Sequence, residues 1–147
     1  MAFNNRQGNW VSFDSKTKEI FTSKERLDKL FSEGFRFEAV ISQTAVIDAL
    51  AFTIVFIHGS FKKVKIKDLF RLPLGEIIKR SKKYNLMDEG LIKKLEKYNE
   101  DRKKIVHHTI RGDLELDFNK MFELGQEIII DLNKPLAKQF EKYGHKW

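Results

Sequence analysis

Residues 35 to 58 read FRFEAVISQTAVIDALAFTIVFIH, and their reading decides the fold. In the second half, Val46, Ile47, Leu50, Ala51, Phe52, Ile54, Val55, Phe56 and Ile57 leave almost no polar face on a helix. A helix that is apolar nearly all round belongs at the buried centre of a bundle. The apolar run from Ala49 to Ile57 is interrupted by Thr53 and is shorter than the roughly 20 residues of a membrane span. The expected element is therefore a core helix over about 35 to 58, with Gly59 at the position just past its end.

The segments on either side carry helix signals of their own. Upstream, Thr22-Ser23-Lys24-Glu25 has the capping-box form, which predicts a short helix to about Phe31 that Ser32-Glu33-Gly34 then interrupts. Residues 1 to 21 show no strong period and read as an N-terminal arm, leaving 22 to 147 as a single domain. Downstream, Phe61 to Leu72 is a basic connection. Pro73 suits the first turn of a helix to about Tyr84 that Asn85 can end. Asp88 is the expected N-cap of a helix from Glu89 to about His108, closed by Gly112. Asp113 is the expected cap of the last helix, along which Leu114, Phe118, Met121, Phe122, Gly125, Ile128, Ile129 and Leu132 recur at helical spacing. Pro135 is expected to break or kink the tail that follows, up to about Tyr143. The fold class is all-α: an antiparallel bundle of four main helices with a short extra helix near the N-terminus.

The composition bounds the rest. With 147 residues, 41% hydrophobic, there is material for one domain with a substantial core. The absence of Cys removes disulfides and thiolate chemistry, and the first residues lack a secretory pattern, so the expected location is cytoplasmic. The net charge of +7 is unevenly placed, because Ser60 to Lys104 holds fifteen Lys or Arg against seven acids, and thirteen bases elsewhere meet fourteen acids. Such a basic stretch suits either a polyanionic partner or a solvated lysine-rich surface.

One residue breaks the pattern of its helix. Leu91, Leu95, Tyr98, Ile105 and Val106 form an apolar stripe, and Arg102 falls in the middle of it. A guanidinium there must reach solvent, face another subunit, or pair with an acid such as Asp48 of the core helix. His107 and His108 follow. On an ideal helix Arg102 and His107 point about 140° apart, with Asn99 and Lys103 between them, so they do not share a narrow face. No His, Cys or carboxylate spacing supports a metal site, and no glycine pattern supports a nucleotide loop, so neither a metal nor another cofactor is expected.

The segment Leu91 to His108, LIKKLEKYNEDRKKIVHH, resembles the signature helix of the HEPN superfamily (higher eukaryote and prokaryote nucleotide-binding domains). That motif is an Arg followed five positions later by a His, met here by Arg102 and His107. The stretch from Asp68 to Lys79, with Leu74-Gly75, resembles the leucine-glycine helix start that precedes it in many members, and the likeness extends over about residues 35 to 132. Lys103 stands where the family often has Asn. The resemblance implies a metal-independent endoribonuclease, of the kind that serves as a toxin or defence effector. Its partners would be RNA, a second copy of itself, and an antitoxin or nucleotidyltransferase. Carried over, His107 would be the general acid/base and Arg102 the phosphate clamp, with Asn99, Lys103 and His108 as weaker substrate-binding candidates. The residue types suit that chemistry, because an imidazole moves protons near neutral pH and a guanidinium holds the charge that builds on phosphorus. The alternative keeps the fold without catalysis, as a helical module that binds RNA, a nucleotide or a partner protein. A third reading is a plain helical interaction domain in which Arg102 is a structural ion pair.

Overall fold

The computed structural model describes residues 24–61, 72–109, 111–113 and 115–143. Within them the chain is an all-helical bundle: α1 (Lys24–Ser32), α2 (Arg36–Phe61), α3 (Leu74–Lys83), α4 (Glu89–Thr109) and α5 (Phe118–Tyr143). The expected N-terminal arm and the Thr22-Ser23 cap lie outside the described residues, as does Leu114.

The turns form for local reasons. Gly34 has φ +95°, and the bonds Gly34 N–H to Phe31 O (3.1 Å) and Phe35 N–H to Leu30 O (3.2 Å) close α1 with a left-handed residue just past its end. Asn85, at φ +52°, does the same for α3 through bonds from Asn85 N–H to Lys82 O and Leu86 N–H to Ser81 O. Asp88 caps α4, its Oδ1 accepting the Leu91 N–H at 2.8 Å.

Three boundaries differ from the sequence expectation. α2 runs through Gly59 to Phe61, since Gly59 is buried and is not among the described residues with positive φ. The cap of α5 is Asp117, whose Oδ1 accepts the Lys120 N–H at 3.1 Å; Asp113 lies earlier, after a turn in which Gly112 takes φ +73°. Pro135 lies inside α5 without ending it. The proline removes one helical N–H donor, but its ring is buried with Leu132 before it and Gln139 and Tyr143 after it, so packing keeps the chain helical on both sides of it.

α2 is the centre of the bundle. It packs most extensively on α5 and also meets α1 and α3, while α4 lies against α3 and α5. Ala39, Val40, Ile47, Ala51 and Ile54 are fully buried, and each large aliphatic side chain removed from water contributes about 1.5–3 kcal/mol. α2 from Arg36 to Gly59 is also long and apolar enough to cross a membrane by composition alone, although half of that window is buried inside the bundle.

A buried polar cluster fixes how the helices meet. Gln43 of α2 donates from Nε2 to Phe122 O (2.8 Å) and Gln126 Oε1 (3.0 Å) of α5, and accepts at Oε1 from Tyr98 Oη of α4 (2.8 Å). Gln126 donates onward to Asp28 of α1 at 3.0 Å, so four helices share one network. The carboxamide of Gln43 fits only because residue 125 is glycine: a Cβ there would overlap it. Burial pushes the Tyr98 phenol well above its ordinary pKa, which keeps it a neutral donor.

Candidate functional site

The motif helix α4 is regular from Glu89 to Thr109, with no loosening at its end. Leu91, Leu95, Tyr98 and Ile105 form its buried seam, as expected. Val106 was expected in that seam but is 60% exposed. Asn99 and Asp101, both polar, are buried instead. Asp101 is held by Lys97 (3.1 Å) and Lys104 (3.6 Å), one turn to either side. The stripe of the sequence is thus rotated toward Tyr98, which leaves Arg102 at its edge rather than its middle.

Arg102 pairs with Asp48 of α2, Nη1 to Oδ1 at 3.3 Å, with both side chains about one-third exposed. Asp48 is the acid of the core helix that the position of Arg102 called for. Burial pushes the Asp48 carboxyl above its ordinary range, and the nearby guanidinium offsets only part of that shift. The pair is therefore not held together by a large gain in stability.

A cavity of about 160 Å³ lies against this edge, lined by Pro73, Gly75, Asn99, Arg102, Lys103, Val106 and His107. It explains how two side chains about 140° apart on one helix can meet a common space. Arg102 and His107 stand at the two rims of a broad arc of α4, Asn99, Lys103 and Val106 lie between them, and the start of α3 closes the arc from the other side. A shallower hollow of about 510 Å³ continues from it, sharing Arg102 and Pro73 and walled by Ala45, Asp48, Ala49, Phe52 and Leu72. The site is therefore a cleft with a polar end and an apolar end, and the Arg102–Asp48 pair divides them. A separate hollow of about 430 Å³ between α1 and α2 is lined by Arg26, Leu27, Lys29, Leu30, Glu33, Ser42 and Val46, and includes no imidazole.

Of the expected site residues, Arg102, His107, Asn99 and Lys103 line the polar end together. His108 does not. It turns away to Asp113, with Nδ1 3.2 Å from Oδ1. His107 is exposed, and no described residue holds its ring. Asn99 is 9% exposed, and its carboxamide has no partner among the described residues.

Lys103 is exposed and forms no ion pair with a described acid, which sets it apart from most described bases of the basic stretch. Lys79, Lys82, Lys93, Lys94, Lys97 and Lys104 all face carboxylates at 4.0 Å or less. The described part of the charge surplus is thus largely neutralised within the fold, while Lys62, Lys63, Lys65, Lys67 and Arg71 lie outside the described residues.

Sequence reasoning missed the contribution of α3. Pro73 is its N-cap, with no side-chain cap bond, and Gly75 brings bare backbone to the cavity, where a Cβ would stand 3.7 Å from Asn99 Nδ2. The signal was present in Pro73 followed by Gly75, a helix start with an unadorned second position, but nothing local ties it to residue 99. No cluster of three or more His, Asp or Glu side chains that could hold a metal ion occurs among the described residues. No protein family, curated protein or solved structure matches the chain.

Proposed function

We propose that the protein is a metal-independent endoribonuclease of the HEPN type, with Arg102 and His107 as its reacting pair. The observation that carries the reading is the cavity that takes in Arg102, Asn99, Lys103 and His107 together although they span a broad arc of α4. An RNA phosphate seated there has a guanidinium at one rim and an imidazole at the other. The 2′-hydroxyl oxygen attacks the adjacent phosphorus, the bond from phosphorus to the 5′-oxygen breaks, and the products are a 2′,3′-cyclic phosphate and a free 5′-hydroxyl. His107 moves the proton at the attacking or leaving oxygen, and Arg102 stabilises the charge on the phosphoryl oxygens, for which it must turn from Asp48 toward the substrate.

A second copy of the chain completes this reading. Phe37 and Ile41 are 42% and 46% exposed, and with Ala45, Ala49 and Phe52 they follow one face of α2 into the apolar end of the cleft. An exposed apolar stripe leading into a polar site suits a symmetric homodimer that brings two clefts together. Light scattering at tens of micromolar tests this, and a monomer would contradict it. A role as a cytoplasmic toxin or defence effector, silenced by an antitoxin or nucleotidyltransferase partner, belongs to the same resemblance.

The second reading, a non-catalytic module that binds RNA or nucleotide, is favoured by the state of the pair: Arg102 is engaged by Asp48 and no described residue orients His107. Cleavage of an RNA pool in the presence of EDTA separates the two. Products ending in 2′,3′-cyclic phosphate, absent with Arg102→Ala and with His107→Ala, establish the nuclease. Binding without cleavage establishes the module.

A further inference from the structure

The Arg102–Asp48 pair stands where the two hollows of the cleft meet. Arg102 lines both the polar end and the apolar end, whereas Asp48 lines the apolar end alone. One hydrogen bond joins them, from Nη1 to Oδ1 at 3.3 Å, longer than the roughly 2.7–2.9 Å of a strong charge-assisted bond. Neither side chain makes another hydrogen bond or ion pair among the described residues. The guanidinium thus keeps donors to spare, and the second carboxylate oxygen has no described donor.

Stability does not account for the acid. Between Ile41 and Phe52, Asp48 interrupts a face of α2 otherwise made by Ile41, Ala45, Ala49 and Phe52. Burial disfavours its charged form, and Arg102 offsets that only in part. An apolar side chain at this position would serve the bundle as well or better. What the acid does have is a hold on the cation that both hollows share.

We propose that Asp48 is a positioning residue that tethers Arg102 at the boundary of the two hollows and competes with the substrate phosphate for it, thereby setting how tightly the cleft takes a phosphodiester. A phosphodiester offers two unesterified oxygens to the guanidinium fork, against the one carboxylate oxygen now in use, and so displaces Asp48. The exchange leaves the carboxylate part-buried without a cation, a cost that each binding event bears. Removing the charge of Asp48 removes both the competition and that cost. This inference rests on the reading of the cleft as a phosphodiester site served by Arg102, and it is read by binding, without cleavage.

The test is fluorescence anisotropy of the full chain with a 2′-O-methyl oligoribonucleotide, which lacks the attacking hydroxyl and stays intact. Arg102→Ala is expected to weaken binding on the order of tenfold. Asp48→Asn is expected to tighten it by roughly three- to tenfold, and Asp48→Glu, which keeps the charge, to stay close to the wild type. Because Asp48→Asn also adds to the net charge of +7, the same substitution is made in the Arg102→Ala protein, where it is expected to change the affinity little. Tightening as large without Arg102 as with it overturns the tether, as does an Asp48→Asn affinity equal to or below that of the wild type. In either case a loss of binding with Arg102→Ala still upholds the phosphate site. Binding that Arg102→Ala leaves unchanged overturns the reading of the cleft, and the tether with it.

Discussion

Tyr98 and Asn99 are neighbours on α4, yet they enter two regions built on opposite terms. Tyr98 turns inward to Gln43 and Thr44, at 2.8 and 3.1 Å, in a cluster whose groups meet partners from four helices. Asn99 lines the cleft, where no hydrogen bond joins its carboxamide to a described residue, Arg102 has one described partner at 3.3 Å and His107 has none among the described residues. Buried polar groups that are fully paired specify how helices meet. Polar groups at the edge of a cleft without described protein partners add little to the fold, so the two regions differ in what their polar groups contribute to its stability.

Substitutions should divide along the same line. The largest effect is expected in the cleft and on activity alone: His107→Ala should lower RNA cleavage by about 10²–10⁴-fold with an unchanged melting temperature, measured by gel assay and calorimetry. Arg102→Ala should cost roughly 10²–10³-fold, with little change in stability. In the inner cluster the order reverses. Gly125→Ala forces a methyl into the Gln43 carboxamide and should destabilise by about 1–3 kcal/mol in urea titration, because neither helix can yield without breaking the network. A variant as stable as the wild type would show that Gln43 has another place to go.

The smallest effect sharpens the boundary between the regions. Because the Asp48 carboxyl sits above its ordinary value in the folded protein, the unfolded chain binds fewer protons than the folded one as pH rises past about 4, and the charged form opposes folding from there upward. Asp48→Asn should therefore be slightly more stable than the wild type at neutral pH, with the gap closing below the unfolded value of 3.8. A loss of stability at neutral pH would mean that the ion pair is structural after all. His108→Ala, which removes a ring bonded to Asp113 outside the cleft, should leave cleavage intact.

The bundle was legible because its signals are local. The apolar circumference of α2, the turns at Gly34 and Asn85 and the cap at Asp88 each depend on residues within a few positions of one another. The boundaries that moved are those where several neighbours could play one part: Asp113, Glu115 and Asp117 all precede α5, and only the path of the chain after Gly112 selects Asp117. Of the break or kink expected at Pro135, the break does not occur, because buried neighbours on both sides keep the chain helical. Within the site, Arg102 stood out as a cation near an apolar seam, and Asp48 as the acid that could meet it. The start of α3 did not, since Gly75 reaches Asn99 only through tertiary packing. The same holds for Gly125: a glycine at a core-facing helical position hinted at a close approach, but Gln43 lies far away in sequence.

The most direct test of the proposed ribonuclease function is to incubate the purified protein with a mixed RNA pool in EDTA and to read the chemistry of the new ends. The expected result is cleavage that leaves 2′,3′-cyclic phosphates, spares a substrate with a 2′-deoxy nucleotide at the scissile position, and is lost with His107→Ala. Intact RNA, or equal cleavage by wild-type and His107→Ala protein, would contradict it.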